Sequence, residues 1–358
     1  MILQKYLAKI GIIINKVDLE KLIKKYMNKN LLVGIIVVVI VLGLGGYFLM
    51  NKNSGQQSGP LPKVTIAMVT FPGYAPLYVA KEKGFFEGAD VELTRIESIG
   101  DIRAAMRSGS INMYAATYDI YQSIKDVAPN GVGFLVVDES HGADGVATAA
   151  NVNSIKDLRG KKVGAEPGFP PYLVLQYLLN EEGMTLQDLD FQDMPTTDAG
   201  NAFAAGKLVA AGIYEPALSA SVTARPGSKV FASSADIPGL VQDLIFADEK
   251  LAKEHPEVLE KVAAGYFKAL DYINSNHDDA YQIMAKAFSV SVKEMEDFKT
   301  GVSWIDKAEN IKLFDKTSDV NAYKTYDLVC SILKKNGDTN ICLKSEDKLT
   351  NEIVNQFK

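Results

Sequence analysis

Lys63-Val64-Thr65-Ile66-Ala67-Met68, then Pro72-Gly73-Tyr74-Ala75-Pro76, then the apolar run from Leu77 to Phe86, reads as strand, turn and helix. The same order returns further along as Lys162-Val163-Gly164-Ala165-Glu166, Pro167-Gly168-Phe169-Pro170-Pro171 and a helical pattern from Tyr172 to Asn180. The match continues downstream. Asp101-Ile102-Arg103-Ala104-Ala105-Met106-Arg107-Ser108-Gly109 is answered by Asp198-Ala199-Gly200-Asn201-Ala202-Phe203-Ala204-Ala205-Gly206. Each copy then enters a strand ending in a polar, aromatic loop, Thr117-Tyr118-Asp119 in the first and Tyr214-Glu215-Pro216 in the second. Two similar α/β lobes with aromatic and acidic strand ends suggest a clamp that closes on a small molecule.

Strand and helix patterns alternate from residue 63 onward. The first lobe is expected to hold strands at Val64–Val69, Val91–Ile96, Asn112–Thr117 and Gly133–Val137, the second at Lys162–Glu166, Asp190–Asp193, Val209–Tyr214 and Lys229–Ala232. Ala143–Ala149 and Leu240–Ala247 read as two extended crossings between the lobes. Glu249–Asn276, His277–Ser289, Val292–Gly301 and Val320–Lys334 read as a helical tail. This places lobe 1 at 63–145 and 241–358, and lobe 2 at 146–240. Open α/β sheets bind ligands outside the carboxyl ends of their strands, so two facing sheets share one cleft.

The ends of the chain carry different signals. Residues 1–30 hold seven lysines against Asp18 and Glu20, a surplus of +5, so the rest carries −11 of the formal net charge of −6. An acidic body excludes nucleic acid as the expected partner, because phosphate binding needs a basic surface. Leu31 to Met50 is an apolar run of about twenty residues, enough at ~1.5 Å per residue to cross a bilayer core. Lysines on its N-terminal side predict a cytoplasmic segment 1–30, a single-pass anchor at 31–50, a flexible linker at 51–62 and an extracytoplasmic binding region. Leu49-Met50-Asn51 offers no small-x-small cleavage site, and no cysteine follows the run for lipid attachment. The two cysteines, Cys330 and Cys342, either pair in an oxidising exterior or remain thiols.

Several segments resemble a known family. Pro72-Gly73-Tyr74-Ala75-Pro76-Leu77 and Ala80-Lys81-Glu82-Lys83-Gly84-Phe85-Phe86 are similar to the opening of substrate-binding proteins of the nitrate/sulfonate/taurine/thiamine-pyrimidine class of ABC importers. Gly142-Ala143-Asp144-Gly145, Ile155 to Gly164 and Gly206 to Pro216 extend the likeness. It implies a two-lobed type II periplasmic-binding fold, delivery of a solute to an ABC permease with its ATPase, and no catalysis. The chain departs from the pattern in three places. Tyr214 stands where Trp often precedes Glu-Pro, Phe169-Pro170-Pro171 stands where oxyanion binders often carry Ser or Thr, and Leu208-Val209-Ala210-Ala211 lacks the usual acidic residue.

The candidate ligand-binding residues are Phe71, Tyr74, Thr117, Tyr118, Asp119, Asp138, Ser140, Glu166, Phe169, Tyr172, Tyr214 and Glu215. Aromatic faces among carboxylates suit a flat nitrogenous ring or an organic cation. The alternative is that several of these rings fill the interlobe core, and that Asp138 and Ser140 cap the chain as it leaves lobe 1. Pro170 and Pro171 remove N–H donors that an oxyanion would need, so sulfonate or nitrate has weaker support. No cofactor or metal set is expected, since His141, His255 and His277 are scattered. No P-loop or nucleophile elbow is present, and the eukaryotic pyrimidine-synthase relatives rely on a cysteine cluster this chain lacks. Two other readings remain open, a sensory ectodomain signalling through the membrane segment and an enzyme acting on a pyrimidine-like compound.

Overall fold

The structure, a computed structural model, describes residues 61–126, 131–339 and 342–358. The segments 1–30 and 31–50, read as cytoplasmic tail and anchor, and most of the linker lie outside them. Among the described residues no helix is long and apolar enough to cross a membrane.

Two sheets carry the chain. The first contains β1 (Val64–Met68), β2 (Val91–Arg95), β3 (Met113–Thr117) and β4 (Gly131–Ser140); the second contains β5 (Asp144–Thr148), β6 (Lys162–Ala165), β7 (Asp190–Asp193), β8 (Ala210–Tyr214) and β9 (Lys229–Ser233). The chain then returns to the first sheet with β10 (Gln242–Asp248) and β11 (Val302–Trp304). The strand orders are β2-β1-β3-β10-β4-β11 and β7-β6-β8-β5-β9. With β11 set aside they are one arrangement, because β6, β7, β8, β5 and β9 occupy the places of β1, β2, β3, β10 and β4. In each sheet a parallel trio is followed by an antiparallel strand that has just arrived from the other lobe. The duplication seen in the sequence is therefore a duplication of topology.

Between β1 and β9 the α-helices among the described residues are α1 (Ala75–Glu82), α2 (Ile99–Ser108), α3 (Tyr118–Ile124), α4 (Pro170–Glu181), α5 (Thr196–Ala204) and α6 (Ala217–Ala224). Their starts and stops follow local chemistry. Ser98 caps α2 by accepting from the Asp101 N–H, and Gly109 ends it in the left-handed conformation at φ 69°. Pro170 opens α4 at a position where a missing N–H costs nothing.

The tail differs from expectation in two places. One long helix over 249–276 is instead two, Glu249–Glu254 and Pro256–Ser275, because Pro256 cannot continue a helix and opens the second one. The helix expected over 292–301 stops at Lys299, and Val302–Trp304 forms an edge strand on β4. Three residues are too short for a periodicity to show. Beyond that strand the edge of β4 is completed by an amide, as Asn310 Nδ2 donates to the Val136 carbonyl at 2.8 Å and its Oδ1 accepts from the Val136 N–H at 3.0 Å.

Cys330 and Cys342 are disulfide-bonded, tying the helix Ala322–Asn336 to the segment after it. The bridge closes a loop with a sequence separation of 12. Cys330→Ser is expected to lower unfolding stability by about 2–3 kcal/mol. Urea denaturation of the variant and of dithiothreitol-treated wild type should agree; an unchanged midpoint in both would contradict this.

Candidate functional site

The two crossings define the site. Outbound, the chain runs from β4 through His141-Gly142-Ala143 into β5, with Gly142 at φ 111° where a side chain would be strained. Inbound, it runs from β9 past Ser234 and Gly239 into β10. The crossings are bonded together, with the Ser140 and Ser234 hydroxyls 2.8 Å apart and the Gly142 N–H donating to Ser234 Oγ at 2.7 Å. Ser140 therefore braces the hinge.

On the lobe 1 side, Asp138 of β4 lies opposite Asp243 of β10, which in turn lies opposite Thr117 of β3. Residues directly opposite in an antiparallel pair share a face, with Cβ atoms ~4.5–5.5 Å apart, so the two carboxyls meet. A bulge at Val137 re-aims β4 at this point, and the displaced Val137 carbonyl accepts from the Tyr266 hydroxyl and, at 3.0 Å, from the Ile305 N–H. The Tyr74 hydroxyl donates to Asp243 Oδ1. Asp119 follows at the first turn of α3, and Asp144 opens β5 opposite Tyr214 of β8. All four aspartates are 0–2 % exposed.

Val69, Phe71, Tyr74, Ile120, Asp144, Phe169, Pro170, Tyr214 and Asp243 enclose the space between the lobes. The lobes are shut on it, and the remaining cavity is ≈ 20 Å³, about the room for one water. Phe71 and Tyr74 meet edge-on at 5.8 Å, while Phe169 and Tyr214 lie 6.3 Å apart and tilted. Each lobe thus contributes one aromatic pair, and a strand of each sheet contributes a carboxyl, Asp243 from β10 and Asp144 from β5.

Burial dominates the ionisation of the cluster. Desolvation pushes the Asp119 carboxyl up to about 7 and the Asp144 carboxyl up to about 8. It also raises Asp243 to about 6, against the opposing hydrogen bonds from Tyr74 and Asp138. Asp138 rises well above the ordinary range, through desolvation first and then the carboxyl of its neighbour Asp243. No Lys, Arg or His lines the cavity among the described residues.

The other candidates fall around this centre. Tyr118 is buried behind it, donating to Gln242 Oε1 at 3.3 Å and meeting Tyr326 edge-on. Tyr172 faces the tail instead of the cavity, and its hydroxyl donates to Asp338 Oδ1 at 2.9 Å. Gln176 reaches the other oxygen of Asp338, so α4 of lobe 2 is latched to the segment following helix Ala322–Asn336. Glu166 Oε2 accepts from the Thr196 N–H at 3.0 Å, at the start of α5. Glu215 Oε2 accepts from the Ser219 N–H at 3.1 Å, in the first turn of α6. Arg95 and Arg103 lie outside the cavity; the first bonds the Tyr78 hydroxyl at 3.0 Å and the second the Ser123 carbonyl at 2.6 Å. Asp144 and Asp243 line the cavity but were not among the residues singled out from the sequence. A detectable signal existed for Asp243, a charged residue inside the apolar strand Val241 to Ala247.

Comparison with known proteins identifies the fold family. The NMT1/THI5-like family profile matches residues 72–280. The chain belongs to that family. A putative binding protein of Bacillus subtilis, YtlA, is 30% identical over 247 residues, covering 65% of this chain and 73% of the relative. A putative binding protein of Brucella abortus is 28% identical over 246 residues, covering 66% and 74%. The periplasmic aliphatic sulphonate binding protein SsuA of Escherichia coli superposes with a TM-score of 0.65 at 17% identity, over 82% of this chain and 93% of that one. The desulfurization enzyme DSZB also shares the fold, with a TM-score of 0.56 at 13% identity, over 82% and 98%. The architecture is the periplasmic-binding-protein fold.

Two outcomes follow from this geometry. A Cβ on Gly73 would lie 2.3–2.4 Å from the carboxyl atoms of Asp138, which β4 holds in place. Gly73→Ala is expected to cost about 1–3 kcal/mol of stability, measured by urea denaturation. The second concerns pH. The folded chain keeps protons on Asp119, Asp144 and Asp243 that an unfolded aspartate releases near pH ~3.9. Their contribution is complete below that value and is lost as pH rises through the folded values of about 6, 7 and 8. Exposed carboxylates held low, such as Asp157 and Asp188, act below this window. The melting temperature should fall by several degrees from pH 5 to pH 8.5, and a rising profile would refute the assignment.

Proposed function

We propose that this protein is the extracytoplasmic solute-binding component of an ABC importer. It closes its two lobes on a small organic molecule, a nitrogenous ring or cation, and presents the shut form to a permease served by an ATPase. The membrane run 31–50 would keep the clamp near that permease.

The observation that carries the ligand class is what occupies the helix N-termini at the strand ends. A helix N-terminus is an anion site because its first N–H groups are unpaired and the dipole is positive there. Here α1 has Pro76 and α4 has Pro170 and Pro171 in the opening turn. The Tyr172 and Leu173 N–H groups both turn back to the Phe169 carbonyl. The first turn of α3 carries Asp119, and those of α5 and α6 are bonded by Glu166 and Glu215. At α1, α4, α5 and α6 the place where an oxyanion would sit carries proline or is taken by the chain's own carboxylate. Aromatic walls and buried carboxyls remain, and these favour a ring bearing N–H groups or a cation. Among the described residues the cavity wall offers carboxyls and phenols but no Ser, Cys or His, which supports binding over turnover.

A thermal-shift panel on the full chain in mild detergent tests this. It should contain hydroxymethyl-pyrimidine-like rings, betaine-like cations, taurine, alkyl sulfonates, nitrate and bicarbonate. A true ligand at 100 times its dissociation constant adds about 2.7 kcal/mol to stability, a shift of several degrees. Rings or cations should produce it. A shift with taurine or sulfonate alone would overturn the ligand class, and silence across the panel would overturn the binding role.

A further inference from the structure

We propose that the cleft exchanges protons for an organic cation that carries N–H groups: the incoming cation donates to Asp144 and Asp243, and protons held by the carboxyl cluster leave for solvent. This rests on the binding function above and specifies how the site reads charge.

Three observations carry it. The first is an unpartnered group. Asp144 Oδ2 is buried, lines the cavity and accepts no hydrogen bond, and neither oxygen of Asp138 meets a conventional donor. A buried acceptor left unpaired costs ~1–3 kcal/mol, so the site is built to be completed by donors from outside the chain. The second is the lack of a resident cation. The nearest lysine, Lys299, turns its Nζ to the Val302 carbonyl at 2.9 Å and lies over the Trp304 ring at 4.9 Å. The third is that the walls are aromatic from both lobes, with Phe71 and Tyr74 facing Phe169 and Tyr214 across the same space.

The groups around the cluster define its charge balance. Asp138 and Glu139 come from β4, Asp243 from β10, Asp119 from α3 and Asp144 from β5. Tyr74 faces them from the turn before α1, Tyr214 and Glu215 from the end of β8, and Tyr266 from the helix Pro256–Ser275. Lys299, which burial makes easier to deprotonate, is the one base beside them among the described residues. With so many acids and one base that is bonded elsewhere, the shut cleft stays near neutral by keeping protons. A cation entering the cleft supplies the positive charge instead. Geometry also selects among cations. A quaternary ammonium fits aromatic walls but cannot donate, so it leaves Asp144 Oδ2 unpaired. An ammonium or amidinium group satisfies both.

Isothermal titration of the full chain in mild detergent tests this with benzylamine, benzamidine, benzyltrimethylammonium and benzenesulfonate. The titrations run at pH 6, 7 and 8.5 in buffers of different ionisation enthalpy. Benzamidine or benzylamine should bind at least tenfold more tightly at pH 8.5 than at pH 6 and release a measurable fraction of a proton per cation bound. Asp144→Asn should weaken binding and reduce both the pH dependence and the proton count. The wild-type proton count stands by itself if the variant does not fold. The exchange is overturned if neither N–H cation binds, if benzyltrimethylammonium binds as tightly as benzylamine, or if affinity is flat with pH and no proton is released. Binding of benzyltrimethylammonium or benzenesulfonate alone would overturn the exchange but leave the clamp standing.

Discussion

Asp138 and Asp243 stand side by side on adjacent antiparallel strands, buried and without a basic partner, and the rest of the cleft is framed around that pair. Burial and mutual repulsion disfavour ionising both, and both carboxyls are raised above the ordinary range. Burying such a pair is unfavourable unless the surrounding structure prevents it from turning to water. The strands meet that need. β4 is the strand leaving lobe 1 and β10 the strand coming back, so the pair sits where the crossings converge. The Tyr74 hydroxyl ties the loop before α1 to Asp243, and the bare Cα of Gly73 lets that loop press against Asp138. Trp304 holds the same loop from behind, its Nε1–H donating to the Pro72 carbonyl at 3.1 Å.

The backbone of this fold tolerates opposite electrostatics. A solved structure of the same architecture is a sulphonate-binding protein, and helix N-termini are in general suited to anions. In this chain four of the helix starts that follow strands carry proline or a bonded carboxylate in the first turn. Glu166 and Glu215 bond the first turns of α5 and α6, and prolines open α1 and α4. The change needs no new element, only carboxylates and prolines at first-turn positions. On the proposed reading, one topology would then serve ligands of different charge.

Much of the lobe architecture was readable because its signals are local. The repeated strand–turn–helix order, the glycines ending helices and the apolar strands each occupy a short window, and the two crossings showed as extended runs. The strand Val302–Trp304 did not show, since three residues have no period and pairing with β4 is a long-range event. Aromatic residues at the strand ends pointed to the cleft as a region. Their individual destinations were not readable, because Tyr74 and Tyr172 carry the same hydroxyl and only packing sends one to Asp243 and the other to Asp338. Asp243 escaped notice for the converse reason. Its meaning comes from Asp138, a hundred residues earlier, and from a bulge that no local pattern announces.

The balance between shut and parted lobes follows from these parts. Apolar contact favours closure, for Phe169 is 1 % exposed and one hydrophobic cluster runs from the first sheet across the cleft into α4. The hydrogen bonds from Tyr172 and Gln176 to Asp338 add a polar latch on the outer side. The carboxyl cluster acts in the other direction, since each proton lost at the centre adds a buried charge that hydration would relieve. An occupant larger than a water requires the lobes to part, because the space between them is ≈ 20 Å³. Under the proposed exchange, a solute that enters and restores closure replaces protons of the cluster with positive charge and donors of its own. On that reading closure and recognition are one electrostatic event, and a neutral or anionic solute of the same shape would leave the lobes held by apolar contact and the Asp338 latch.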